Sequence, residues 1–286
     1  MLTAPHPPPR SSESAANRAS RRQLTPGLSQ RYQAIVQDPQ YSHFTRIPER
    51  IVRYLDSFQI NFDRELVHER LLAHYIFIAV VDDAIDSGEP GVVQTVFACL
   101  DDDNSVGNET GCTSKIAIVA EMLKRHIDPE AFALMLDAMR RAHREVVSER
   151  AAVSIGAYMK HRKALGRATA KQSYLLIQSE FTEPNQELCH LMQDIGAVGC
   201  LIDSVIDIRH DSRSGLLNFS LTISDYAKLC CSAVVEGLRV WAKKPSLSFL
   251  LIEAILDNIR DRTRARVSDT TIPIVIEQKD EAARVA

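Results

Sequence analysis

No hydrophobic run in this 286-residue chain approaches the roughly 20 residues needed to cross a bilayer, and the longest, Leu71 to Val81, runs straight into acids. No transmembrane segment is therefore expected. A basic excess is missing too: the net charge is -3 and the pI is near 6.3. Binding along nucleic-acid phosphates needs a positive surface, so a general nucleic-acid binder is excluded. The six cysteines include no CxxC pair and no zinc-type spacing, and no signal peptide is recognisable. We expect reduced thiols, packed as small core residues in a cytoplasmic protein. Strand signals are absent from the middle of the chain, which has no alternating β-branched runs bounded by Asn-Gly or Asp-Gly. Also lacking are HExxH, GxSxG and the GxxxxGK[ST] phosphate loop.

What is present points to helices. Pro48, Pro90, Pro129, Pro184 and Pro245 each precede a long proline-free run, which fits proline's tolerance in a first turn and its intolerance in a helix interior. The patterning predicts helices over 29–37, 48–58, 62–87, 91–101, 113–126, 129–150, 153–181, 184–211, 222–243 and 246–267. Several are apolar on more than one side, as in an all-α, single-domain bundle whose central helices are wrapped by others. Residues 1–28 are rich in Pro, Ser and Arg and read as a disordered tail, with a targeting peptide as the alternative. Residues 29–267 form the expected domain, residues 268–286 a loose tail, and 101–114 an acidic internal loop.

The chemistry sits in two acidic clusters. Leu71 to Asp86 reads LLAHYIFIAVVDDAID: eleven residues, apolar apart from His74 and the Tyr75 hydroxyl, followed by Asp82, Asp83 and Asp86. On a helix these carboxylates share one side. Three acids ending a greasy segment call for a positive partner, and a hard divalent cation is the usual one. Asp203, Asp207 and Asp211 repeat the theme at four-residue spacing after the apolar lead from Ile195 to Ile202. A solvated acidic face is the bland alternative for either cluster alone. Two clusters on apolar helices can instead face each other across a cavity.

Asp82-Asp83-Ala-Ile-Asp86 resembles the DDxxD motif of the class I terpenoid synthases. Asp203, Asp207 and Asp211 are similar in spacing to the second metal motif, NxxxDxxxD in squalene/phytoene synthases and NxxxSxxxE in terpene cyclases. Between them, Tyr158-x-x-x-Arg162-Lys163 followed by Gly166 resembles the YxxxRR-x-x-G segment of microbial cyclases, whose arginine senses diphosphate. The resemblance implies an α-helical bundle with a deep apolar pocket and Mg2+, three ions in all and replaceable by Mn2+, held between the motifs. It further implies a prenyl diphosphate substrate and allows for a homodimer.

Ionising an allylic diphosphate leaves a carbocation and a highly charged leaving group. Metal ions and cationic side chains must neutralise the second, and walls that cannot intercept it must surround the first. Tyr75, Ile78 and Ala79 lie over the acids and suit that wall, although ordinary core packing explains Tyr75 and Phe77 equally well. Besides Arg162, the candidates for diphosphate are Lys171, Arg209, His210 and Arg213. Lys160, Lys163, Arg167 and Lys171 also form one helical stripe that reads as a solvated basic face.

Departures from the families separate two chemistries. Squalene and phytoene synthases place an arginine where this chain has Ala79, and an Arg-x-Tyr where it has Leu216 and Asn218. Those absences favour one prenyl diphosphate per turnover over head-to-head coupling of two. Against a cyclase, the second motif is all aspartate and no Arg-Tyr pair closes the chain, although Arg260, Arg262, Arg264 and Arg266 offer substitutes. A lapsed synthase that only binds prenyl diphosphate, or a helical interaction module, is the alternative from another class.

Overall fold

Short polar side chains and prolines start the helices of the computed structural model, which describes residues 26–58, 60–88, 91–101, 112–181, 183–245, 252 and 256. In chain order they are α1 (Pro26–Val36), a 3-10 turn (Pro39–Tyr41), α2 (Ser42–Thr45), α3 (Ile47–Asp56), α4 (Arg64–Asp86) and α5 (Val92–Asp101). Then follow α6 (Cys112–His126), α7 (Pro129–Arg150), α8 (Ile155–Ile177) with a 3-10 extension (Gln178–Glu180), α9 (Gln186–Arg213) and α10 (Ile223–Lys243). Among the described residues there is no strand, and no helix is long and apolar enough to cross a membrane.

The signals for these starts are local. Pro48 and Pro129 occupy the first turns of α3 and α7. Asp63 accepts from the Leu66 amide to open α4, and Asn185 from the Leu188 amide to open α9. Thr222 and Asp225 close a reciprocal capping box on α10, which satisfies amides that a bare helix end leaves unpaired. Both acid-bearing helices stop on a glycine of left-handed backbone, Gly88 after α4 and Gly215 after α9, each at φ 71°. A side chain disfavours that conformation, so the chain turns away directly after each cluster.

The expected boundaries move little where the helices are described. The helix expected at 29–37 starts earlier, at Pro26, and Leu28 inside the expected tail is buried. The helix expected to 181 tightens into the 3-10 turn after Ile177. By its internal contacts the chain divides after Ser248. In the second unit, Ile252 and Leu256 are described and both are helical. The rest of the helix expected at 246–267, most of the acidic loop, most of the first tail, all of the second and the arginines between 260 and 266 lie outside the described residues.

Within residues 1–248, α4 packs on α3, α5, α6 and α8, while α8 packs on α7 and α9 and α9 on α10. The core follows this chain of contacts through Leu71 and Ile76 on α4, Leu123 on α6, Met135 on α7, Leu176 on α8 and Leu201 on α9, all essentially inaccessible. His74, the break in the apolar run of α4, is fully buried, and burial pushes its pKa down to about 3. It is neutral core, with neither ring nitrogen meeting a protein partner.

Candidate functional site

Two antiparallel helix pairs bring the acids to one end of the bundle. Along α4 and α8, Tyr75 Oη meets Ser173 Oγ at 3.1 Å and Arg70 Nη1 donates to the Leu176 carbonyl at 3.0 Å, so α8 descends as α4 rises. Along α8 and α9, glycine lies against glycine. A Cβ added to Gly166 would lie 2.2 Å from the Gly196 carbonyl oxygen, and one added to Gly196 would lie 2.3 Å from that of Gly166. Backbones pressed this tightly fix the register of the pair. One and two turns on, Arg162 donates to the Cys200 carbonyl and Tyr158 to Ser204. The end of α4, the start of α8, the end of α9 and the end of α7 therefore converge.

Arg162 stands at the convergence. Its Nε donates to Ser204 Oγ at 2.8 Å, its Nη2 to Asp203 Oδ2 at 3.2 Å, and its Nη1 pairs with Glu149 Oε1 at 3.5 Å. Burial opposes its charge, but Cys200, Glu149, Tyr158 and Asp203 outweigh that and raise its pKa. Burial raises the Glu149 carboxyl, with Arg162 pulling the other way.

The second acidic cluster is felt at the first. Asp82 is solvent-exposed at the end of α4, with protein near enough to cost its charge part of its hydration. That partial desolvation, then the charges of Asp86 and Asp203, push its carboxyl up to about 6 against the pull of Arg162 and Arg150. Asp211 is raised by desolvation and by Asp207, with Asp203 adding and Arg162 and His210 opposing. An excess of negative charge thus gathers around Arg162 and Arg150. The donor oxygens suit a hard cation, whose binding would relieve that repulsion. Among the described residues no three His, Cys, Asp or Glu side chains gather closely enough to hold a metal ion by themselves. A magnesium ion here would complete its shell from water and ligand oxygens, its usual habit.

The other expected residues are placed as follows. Asp83 points to the N-terminal segment: its Oδ2 accepts from Gln40 Nε2 at 2.8 Å and from Tyr41 Oη at 3.1 Å, and Lys115 donates to that same hydroxyl. Ala79 and Phe77 are buried, and Tyr75 and Ile78 half-buried. Arg209 stacks its guanidinium on the Tyr226 ring, 4.1 Å from the centroid. His210 and Arg213 are exposed, His210 lying 3.5 Å from Ser214 Oγ. Lys171 lies nine residues beyond Arg162, about 13 Å along the axis, and is half-buried. The basic stripe on α8 is in part an ion-pair seam: Lys163 pairs with Glu236 on α10, and Arg167 with Asp194 on α9. A cavity of about 480 Å³ opens at the start of α8, walled by Val153, Ile155, Met159 and Phe219. None of the six aspartates lines it.

Glu149, Arg150 and Ser204 escaped the sequence reading. Glu149 and Arg150 end an ordinary charged helix, and no spacing links them to either acidic cluster. Ser204 carried a weak signal, a small polar residue beside Asp203 on a helix whose neighbouring positions are apolar.

No family model matches the chain, and no curated protein matches it. Among solved structures, the crystal structure of geranylgeranyl pyrophosphate synthetase from Pyrococcus horikoshii aligns with 87% of this chain and 91% of that chain. The identity is 15% and the TM-score 0.34, and a likeness of that size carries no argument about fold or function.

Proposed function

We propose that this chain is a class I terpene synthase that ionises one prenyl diphosphate and releases diphosphate with a terpene hydrocarbon or alcohol. One observation carries the reading: the acid-bearing ends of α4 and α9 converge on Arg162, which bonds Asp203 and pulls on Asp82, and the charge of Asp203 is felt at Asp82. Asp82 and Asp86 on one side and Asp203, Asp207 and Asp211 on the other would hold Mg2+, which when bound supplies the positive charge that a departing diphosphate needs. Asp83 belongs to that set only if it trades its bonds to Gln40 and Tyr41 for the ion.

The protein's own part is to bind, orient and keep water out. Arg162 presents a planar, permanently charged fork suited to phosphate oxygens. Tyr75, Ile78 and Ala79, one and two turns before Asp82, offer a wall of low nucleophilicity to the organic half of the substrate. At Ala79 a two-substrate enzyme would carry an arginine, and the methyl group there favours a single diphosphate.

The test is direct. The purified chain, incubated with Mg2+ and the C10, C15, C20 or C25 prenyl diphosphate, should release diphosphate and yield an extractable product of unchanged carbon number by gas chromatography and mass spectrometry. Asp82→Ala should abolish that release while circular dichroism stays helical. A product of doubled carbon number would overturn the one-substrate reading, and folded protein that releases nothing from any of the four would overturn catalysis itself.

A further inference from the structure

We propose that Glu149 and Ser204 are positioning residues for Arg162, holding its guanidinium centred between α7, α8 and α9 so that it stays presented to a diphosphate when Asp203 is drawn away by a cation. The proposal rests on the diphosphate reading of the site.

An arginine docked on a carboxylate closes to about 2.7–2.9 Å and commonly uses both nitrogens of its fork. Arg162 does neither. Glu149 stands off at 3.5 Å and Asp203 at 3.2 Å, on different nitrogens, and the shortest bond is the one from Nε to Ser204 at 2.8 Å. The guanidinium is therefore stretched between partners on two helices.

Ser204 is locked as an acceptor. A hydroxyl has one proton and two lone pairs. The Ser204 proton goes to the Cys200 carbonyl at 2.8 Å, and its lone pairs receive Arg162 Nε and the Tyr158 hydroxyl, the latter at 3.2 Å. Tyr158, the aromatic that precedes Arg162 by one turn, thus reaches it through Ser204.

Glu149 carries a cost that the fold alone does not require. Its Oε2 is buried with no protein partner, and a carboxylate oxygen left so loses its hydration without compensation. The two carboxylates also differ in access, Asp203 being 37% exposed and Glu149 14%. Asp203 is the one a cation can recruit. When it turns, Nη2 keeps its bond to the Cys200 carbonyl and releases its other N–H to a phosphate oxygen, while Ser204 on Nε and Glu149 on Nη1 keep the fork in place.

Calorimetric titration of inorganic pyrophosphate with MgCl2 into the 286-residue chain separates this from a bystander role. Removing a negative charge beside an anion site should by itself tighten anion binding, so a bystander Glu149 predicts stronger binding in Glu149→Ala. A positioning Glu149 predicts the opposite: Glu149→Ala and Ser204→Ala each weaken binding about tenfold, the size of one hydrogen bond to a charged group. Glu149→Gln, which keeps an oxygen for Nη1, should restore it to within about threefold. Ser204→Ala, a change of one oxygen atom, decides the matter if Glu149→Ala fails to fold. Unchanged or tighter binding in the alanine variants overturns the positioning role while the diphosphate site stands. Absence of binding by the wild type, or wild-type binding by Arg162→Ala, overturns the diphosphate reading and this proposal with it.

Discussion

Asp82 is the residue whose chemistry the surroundings alter most tellingly. In an unfolded chain its carboxyl would titrate near 3.9, whereas crowding and the neighbouring Asp86 and Asp203 lift it to about 6 in the fold. Between those values the folded state binds more protons than the unfolded one, so this residue's contribution is fully present below about pH 4 and is lost as pH rises to 6. Urea titrations at several pH values should show wild-type stability falling relative to Asp82→Asn across that window. A flat difference would mean that the carboxyl is not perturbed. Sequence spacing placed Asp82, Asp83 and Asp86 on one side of a helix, but not which neighbour each side chain meets. Asp82 feels the second cluster while Asp83, one position on, is bonded to Gln40 and Tyr41. A 100° step between successive residues is enough to hand adjacent carboxylates to different partners.

At the level of elements, the α8 and α9 crossing sets the site's dimensions. Gly166 and Gly196 meet backbone to backbone, and Tyr158, Arg162, Cys200 and Ser204 keep step from there. Gly166→Ala should cost about 1–3 kcal/mol in chemical denaturation as an overpacking change, with diphosphate release falling more than stability alone explains. Gly199→Ala is the control: on α9 one turn from Gly196, with nothing within 4 Å of an added Cβ, it should be neutral or stabilise by up to about 1 kcal/mol. Equal effects at the two positions would deny the crossing a special role. Gly166 was visible in the sequence as part of a motif, but its partner Gly196 was not, since nothing in a chain says which helices cross. The stripe of Lys160, Lys163, Arg167 and Lys171 was legible as periodic, because spacing along one helix is local. That Lys163 and Arg167 meet Glu236 and Asp194 became visible only once α9 and α10 lay beside α8.

For the whole molecule, a ligand that ties α4, α8 and α9 together should stabilise the fold by mass action. Mg2+ with inorganic pyrophosphate, at about a hundred times its Kd, should add about 2.7 kcal/mol, a rise of several degrees in Tm for a chain of this size. Either component alone should do less, and Asp82→Ala should erase the joint effect. An equal shift with pyrophosphate alone would place the anion somewhere independent of the aspartates. The helical class, the starts at Pro48 and Pro129 and the extents of α4 through α10 were written in the sequence, because caps, proline punctuation and apolar periodicity act within a few residues. So were the two acidic clusters and Arg162 as candidates. Only the tertiary structure brought Asp82 near Asp203, added Glu149 and Ser204 around Arg162, turned Asp83 toward the N-terminal segment and laid Arg209 on Tyr226. Those outcomes depend on helix register and rotation, which are settled by packing between segments far apart in the chain, where local residue preferences carry no information.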